Sequence, residues 1–453
     1  MSQARKLDVN RAEGYDLSRT YFESTDHNDF MNKTHALFSA EDAENPWDYK
    51  SLRKFEHETV RMCAEIFHGD RSVVGSITSH ETEALLLMLK AYRDKTRKSR
   101  PWVKKPEMII PESAHPAFVK VAEILDVKVM RANLESDFRV STQAVKKLIS
   151  RNTILIVGSA PQYPQGVVDP IAQLGEMAIK FGVPLHVDAS VGGFIIPFME
   201  KLGAPVPAFD FRIPGVMSIS ADIHKYGYSS LGASVLLFRS MNIMKYQLFA
   251  QTDWKGGSVY TSVGLSGVRA GGPIASAWAA MKKFGESGYL ESTQKLLILR
   301  DQFLKDLAKI PEIKLLALPD LTLLSFCSQD SRVTTSALGS LMEKKGWNVE
   351  RQNHPDSLHL TLSLLHEKTL KRYLEDLRHS VKEIKEDQSL NQKNHFSVYK
   401  SSVISQMEKI YGPENLYPDE SLEVENWIDF AQKFGHQALD IWDKVKLGIR
   451  GKA

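Results

Sequence analysis

Residues 218–239 read SISADIHKYGYSSLGASVLLFR. One apolar run, VMSIS (216–220), leads into a polar turn carrying Asp222, His224 and Lys225. A second run, ASVLLF (233–238), leads out of it. Both runs are continuously apolar, as in strands buried on both faces. The stretch between them is too short for a crossover helix and has no helical rhythm, so the two strands are expected to be antiparallel neighbours. The turn therefore presents an acid, an imidazole and an amine at the end of a sheet.

Upstream, strands alternate with helices. GSITS (75–79), EMIIP (107–111), VKVMRA (127–132), TILIVGSAP (153–161) and PLHVDAS (184–190) read as strands. TEALLLMLKAYRDK (82–95), HPAFVKVAEIL (115–125), STQAVKKLI (141–149) and IAQLGEMAIKF (171–181) read as helices, with Ser141 as an N-cap. In the last, Ile171, Leu174, Ala178 and Phe181 share a face. This alternation predicts an α/β protein with a mixed, mostly parallel sheet.

Residues 1–54 are polar, contain the turn signal Asn45-Pro46 and read as an irregular N-terminal arm. A helix is expected from about residue 55, opening a large domain over 55–274. Residues 275–384 change character: a long helix (275–310) is followed by strand (314–328), helix (338–347), strand (357–365) and helix (370–384), a smaller α+β domain. A polar linker starts at 385. Val424, Trp427, Ile428, Ala431, Phe434 and Ala438 then recur at helical spacing in an amphipathic C-terminal helix expected to pack on the body.

Composition narrows the function. The chain of 453 residues is 43% hydrophobic and 25% charged, with a net charge of +3. No basic block points to nucleic acid. No signal peptide and no apolar stretch long enough to span a bilayer is present, and the sequon Asn32-Lys33-Thr34 reads as chance. Cys63 and Cys327 lie far apart without metal-ligand spacing, which fits a reducing, cytoplasmic setting.

Functional groups in open α/β sheets collect where strands end. Three candidates stand there: His115, Asp188 and the 222–225 turn. Each alone has an ordinary reading. A lysine after a strand is usually solvated, and His115 could simply begin a helix. His186 and Asp188, two apart, could bind a metal but more often one such group is hydrogen-bonded at a strand end. Together they fit pyridoxal phosphate. A lysine removed from water is expected to lose its charge and attack an aldehyde, forming a Schiff base. A carboxylate keeps the pyridine nitrogen protonated, a ring covers the cofactor face, and a helix start binds its phosphate. Lys225, Asp188, His115 and the helix beginning at Thr82 fill those roles in order.

HVDASVGGFIIPFMEKLG (186–203), FDFRIPGVMSISADIHKYGY (209–228), QTDWKGGSVYTSVGLSGVRAGG (251–272), SAPQYPQGVVDP (159–170), ESAHPAF (112–118) and KAYRD (90–94) closely resemble sphingosine-1-phosphate lyases, collinearly over about residues 55–380. The resemblance implies a fold-type-I pyridoxal phosphate enzyme near the group II decarboxylases. It implies that Lys225 is the Schiff-base lysine with His224 beside it, that Asp188 pairs with the pyridine nitrogen, that His115 stacks on the ring and that Thr82 holds the phosphate. Glu81, Ser190 and Ser220 are placed around the cofactor. It also implies a homodimer with shared active sites, Tyr260 and Ser262 reaching the partner's.

The departures matter equally. The family's phosphate loop reads Thr-Ser-Gly-Gly-Thr-Glu-Ser, but here it is Thr78-Ser79-His80-Glu81-Thr82-Glu83-Ala84. Glycine allows close backbone approach to a phosphate, whereas Glu81 brings a like charge. His80 and Glu81 also admit a metal pair, though no third ligand is nearby in sequence. After Lys-Tyr-Gly-Tyr the family carries Ala-Pro-Lys-Gly, and this chain carries Ser229-Ser230-Leu231-Gly232. The family's Tyr-Gly-Gly and Asn-Pro-Leu-His-Pro become Tyr21-Phe22-Glu23 and Asn45-Pro46-Trp47-Asp48.

Three functions follow. The first is a carbon–carbon lyase that cleaves a 2-amino-3-hydroxy substrate, such as a phosphorylated sphingoid base, to an aldehyde and an amine such as phosphoethanolamine. The second is an amino-acid decarboxylase or β-hydroxy-amino-acid aldolase using the same cofactor. The third is a degenerate, non-catalytic relative, motivated by His80, Glu81 and Leu231 and opposed by retention of Lys225, Asp188 and His115.

Overall fold

The computed structural model describes residues 14–391 except 19, 45, 46 and 258, together with residue 407. The Asn45-Pro46 turn and the amphipathic segment 424–438 lie outside the described residues.

In chain order the elements are α1 (Thr25–Leu37), α2 (Lys50–Ile66), β1 (Val74–Thr78), α3 (Glu81–Ser99), β2 (Glu107–Pro111), α4 (Ala117–Leu125), β3 (Lys128–Ala132), α5 (Thr142–Leu148), β4 (Thr153–Ser159), α6 (Ile171–Phe181), β5 (Leu185–Asp188), α7 (Ile196–Lys201), β6 (Val216–Asp222) and β7 (Ser234–Phe238). These are followed by α8 (Met241–Met244), β8 (Phe249–Gln251), β9 (Tyr260–Ser262), α9 (Gly271–Leu307), β10 (Ile313–Leu315), β11 (Leu323–Ser328), α10 (Thr335–Lys344), β12 (Glu350–Asn353), β13 (Asp356–Thr361) and α11 (Leu370–Glu386).

The larger sheet has the order β1-β7-β6-β5-β4-β2-β3. From β6 to β3 all pairings are parallel, and β7 is antiparallel to both β6 and β1. The antiparallel β6–β7 pair is the one the 218–239 stretch predicts. Because β1 reverses β7 and β7 reverses β6, β1 points the same way as β6. Its C-terminus thus opens on the same edge as those of β2, β4, β5 and β6.

Side chains alternate across the pleat and bury on both faces. Met108, Ile110, Leu155 and Val157 pack with Leu85, Met88 and Leu89 of α3 and Phe118 and Val121 of α4. Ile109, Ile156, Val187 and Ile219 face the other way, among Leu52 and Cys63 of α2, Val145 of α5, Leu174 of α6 and Ile274 of α9. The two-faced burial is why these strands read as unbroken apolar runs.

A second sheet, β10-β11-β13-β12, is wholly antiparallel. With α10 and α11 it encloses its own core around Phe326, Leu338, Leu358 and Leu377. α9 links the two sheets: Ala275 and Met281 sit in the larger core, Phe303 and Leu307 in the smaller. It kinks at Gly285 (φ 55°, ψ −168°), a backbone shape that side-chain-bearing residues rarely adopt.

The arm departs from expectation. It contains a helix, α1, whose N-cap Ser24 accepts a hydrogen bond from the His27 amide (3.2 Å). Its apolar content is low, and it is held by tertiary contacts, with Met31 against Ala279 and Ala280 of α9. α2 begins at Lys50, earlier than residue 55. The single strand expected over 314–328 is two, interrupted around Pro319, which cannot donate to a ladder. β12 was not legible, because its residues Glu350, Arg351, Gln352 and Asn353 are all polar.

Candidate active site

The β6–β7 turn is tied across its base. The amides of Ile223 and His224 both donate to Ala233 O (3.1 Å each), and the Lys225 amide donates to Asp222 O (3.3 Å). Tyr228 closes the turn with φ 56°. This left-handed conformation is unfavourable for a bulky residue. It is held by packing, since the Tyr228 ring stacks on Phe284 at 5.3 Å and its carbonyl lies 2.6 Å from His27 Nε2. Lys225 is thereby fixed at the sheet edge, its side chain 16% exposed.

Two acids converge on that amine, and a third stands behind them. Asp222 Oδ2 lies 2.9 Å from Lys225 Nζ and Glu81 Oε2 lies 3.8 Å away. Asp188, at the end of β5, interacts electrostatically with Glu81. The amide and hydroxyl of Ser190 donate to Asp188 Oδ1 (3.0 and 2.6 Å). His115 lies in the loop before α4, half-exposed, with Nδ1 3.9 Å from Glu81 Oε1 and accepting from the Ala117 amide (3.2 Å). His224 turns Nδ1 to Ala233 O (2.9 Å) and Nε2 toward Asp222 (3.8 Å), and its ring stacks on His80 at 5.2 Å.

The electrostatics correct one expectation. Burial does oppose the charge on Lys225, but Asp222 first and Glu81 second outweigh it and hold the ammonium well above the usual lysine range. Desolvation likewise works against Asp222. Lys225, His224 and hydrogen bonds from Ser234 and Lys225 together keep its carboxyl below the carboxylate range. Glu81 goes the other way: burial, then the charge of Asp188, push it well above the carboxylate range despite Lys225. Burial lowers His224 below the ordinary histidine value.

Lys225, Asp188, His115, His224, Glu81 and Ser190 are thus brought together. Thr82 stands beside them as the second residue of α3, half-buried. Ser220 is not part of the cluster surface. Its hydroxyl faces His186 Nε2 (3.1 Å), whose Nδ1 meets Ser218 Oγ (2.9 Å), so His186 is enclosed by hydroxyls beneath the site. Among the described residues no group of three His, Cys, Asp or Glu is placed to hold a metal ion. Tyr260 and Ser262 lie on β9, where Ser262 Oγ donates to Gly264 O (3.1 Å) and Tyr260 packs on Phe249.

Two neighbours had no assigned role in the sequence. Asp222 stood in the opening stretch, three residues before Lys225, and that spacing was its signal. Tyr21 comes from the arm. It is partly buried, edge-on to Tyr226 (5.0 Å), and its hydroxyl is pushed up to about 12, by burial first and with an opposing influence from Lys225. No apolar or turn pattern marked it; only the resemblance drew attention to the Tyr21-Phe22-Glu23 segment.

The pyridoxal-dependent decarboxylase conserved domain matches residues 50–329. Sphingosine-1-phosphate lyase 1 of Rattus norvegicus is 40% identical over 390 residues, covering 85% of this chain and 67% of the relative. The Arabidopsis thaliana sphingosine-1-phosphate lyase is 35% identical over 413 residues, covering 90% and 73%. The chain belongs to the sphingosine-1-phosphate lyase family. The solved sphingosine-1-phosphate lyase of Burkholderia pseudomallei superposes with a TM-score of 0.83 at 33% identity, covering 91% of this chain and 93% of that one. The Lactobacillus brevis glutamate decarboxylase shares the fold alone, at a TM-score of 0.75 and 20% identity.

This lyase family member is therefore a pyridoxal phosphate-dependent carbon–carbon lyase of fold type I. Its residues fit the cofactor. A largely buried amine, a buried carboxylate on the next strand and an imidazole meet at one sheet edge, and Glu81 Oε1 is buried without a hydrogen-bond partner. Among the described residues no helix of the lyase is long and apolar enough to cross a membrane.

Proposed function

We propose that the protein breaks the C2–C3 bond of a phosphorylated sphingoid base, releasing a long-chain aldehyde and phosphoethanolamine. The observation that carries this is the largely enclosed Lys225 amine, 2.9 Å from Asp222, in a chain 40% identical to a sphingosine-1-phosphate lyase. When bound, pyridoxal phosphate supplies an aldehyde for covalent attachment and a ring that accepts the electron pair of the broken bond. Lys225 would hold it, Asp188 would face its ring nitrogen, His115 and His224 would flank it, and Thr82 would take its phosphate. The Lys225 ammonium must lose a proton before its nitrogen can attack a carbonyl. Asp222 Oδ2 is the acceptor within reach. The same pair can move a proton to and from the substrate's C3 hydroxyl.

A second reading rests on the cleft leading to His224, of about 740 Å³. Its walls carry Glu23, His27 and His35, and Leu231 at the rim, with no lysine or arginine among the described lining residues. Such a wall also suits a substrate without a phosphate, as for an amino-acid decarboxylase or a β-hydroxy-amino-acid aldolase. Product analysis separates the two: aldehyde plus phosphoethanolamine supports the lyase reading, and carbon dioxide from an amino-acid panel supports the other. Leu231→Lys should raise activity on the phosphorylated base by about tenfold if the missing charge limits it.

We further propose a homodimer with shared sites. Trp254, Val259, Leu265 and Val268, on and around the β8–β9 hairpin, are each more than half exposed, an apolar surface suited to a second copy. The two cysteines, free and buried, suit a cytoplasmic setting.

A further inference from the structure

Glu81 stands where the resemblance implies a glycine, and the structure aims its side chain inward. It is the first residue of α3, where helix amides favour an anion. Its side chain is 4% exposed, and Oε1 is buried without a hydrogen-bond partner. The charged or titratable groups facing it are Lys225 and Asp222 from β6 and its turn, Asp188 from β5, His115 from the loop before α4, and Tyr21 from the arm. Two carboxyls thus share one amine, with Asp188 acting on Glu81 from the next strand, and the cofactor adds a phosphate dianion to them.

We propose that Glu81 is a cofactor-seating acid: the protein binds pyridoxal phosphate with the Glu81 carboxyl neutral, so binding takes up a proton at any pH where the free protein holds Glu81 ionised. The inference rests on the lyase reading only through the cofactor. An ionised Glu81 beside a phosphate would weaken binding by on the order of a hundredfold at short range in a protein interior. A protonated carboxyl can instead donate the hydrogen bond that Oε1 lacks. Burial and Asp188 already push Glu81 toward its neutral form, so the uptake is confined to the pH range in which the free protein still ionises it. Proton uptake makes affinity fall as pH rises, by up to about tenfold per pH unit for one proton.

The test is an absorbance titration of full-length protein with pyridoxal phosphate at pH about 6 and about 8, for the wild type, Glu81→Gln and Glu81→Gly. The cofactor's own ionisations are common to all three and cancel in the comparison. The expected result is a wild-type affinity that falls at least about fivefold more over this range than that of either variant, with tighter binding by both variants at the higher pH. Calorimetry in two buffers of different ionisation enthalpy should show up to about one extra proton taken up by the wild type. Parallel pH dependences and equal proton uptake would overturn the inference and leave the lyase reading standing. Absence of any cofactor band in all three proteins would overturn both.

Discussion

At the scale of single residues, the chemistry turns on who holds the proton of Lys225. Asp222 and Glu81 outweigh burial and keep the amine charged, so the free amine becomes available only as pH rises. Attachment of pyridoxal phosphate should therefore accelerate with pH. In Asp222→Asn the nearest acid is gone, and that acceleration should move to lower pH, read by rapid-mixing absorbance. An unchanged profile would show that Asp222 does not govern the amine. Lys225→Ala should lose the cofactor's visible band and at least about a thousandfold in activity, since among the described residues no other amine is seen against Asp222 and Glu81.

At the scale of elements, the strand that delivers Glu81 is pinned by a buried cation. Arg269, its side chain 10% exposed, is held by Glu56, with Nη1 3.2 Å from Glu56 Oε2, and donates to Ile77 O of β1 (3.0 Å). Glu56 Oε1 also accepts from the Ile77 amide (2.8 Å). One guanidinium therefore couples α2, β1 and the segment entering α9. Arg269→Ala leaves Glu56 buried without its partner and should cost about 3–5 kcal/mol. Urea unfolding monitored by circular dichroism measures this, and a loss below about 1 kcal/mol would mean that water replaces the cation. Arg269→Lys should recover only part, because an ammonium cannot reproduce the paired geometry.

At the scale of the whole molecule, acid stability has a sign set by buried histidines. Burial lowers His186 to about 3 and His366 to about 4. The unfolded chain protonates them below about pH 6.5 and the folded chain does not, so stability present at neutral pH is lost as pH falls. By pH 5 each should cost on the order of 2 kcal/mol. Asp169, pushed up to about 6 by burial, acts oppositely, because the folded protein protonates it first and regains roughly 1 kcal/mol. The net contribution of these three groups between pH 7 and 5 is a loss of roughly 3 kcal/mol, readable from denaturant midpoints. It should largely vanish in a His186→Asn, His366→Asn double variant. The proposed dimer is tested at the same scale: Leu265→Asp with Val268→Asp should convert a dimer to monomer in sedimentation, with a fall in activity if the sites are shared.

How much of this could be read beforehand depended on whether the signal was local. Apolar runs and helical rhythm mark strands and helices wherever one element meets one core, so the larger sheet and the antiparallel β6–β7 return were legible. So was the gathering of Lys225, Asp188, His115 and His224 at one end of the sheet, because they stand at strand ends or in the turns that follow. Helix α1, strand β12 and Tyr21 were not, because each is held in place by residues far along the chain and carries little apolar pattern of its own. The amino-acid sequence by itself determined the two-faced sheet and the amine in its turn, because burial periodicity and turn chemistry are short-range. Only the tertiary structure decided that Lys225 stays charged, that Glu81 points inward and that the arm supplies Tyr21, because electrostatics among buried groups depends on distances that chain order does not set.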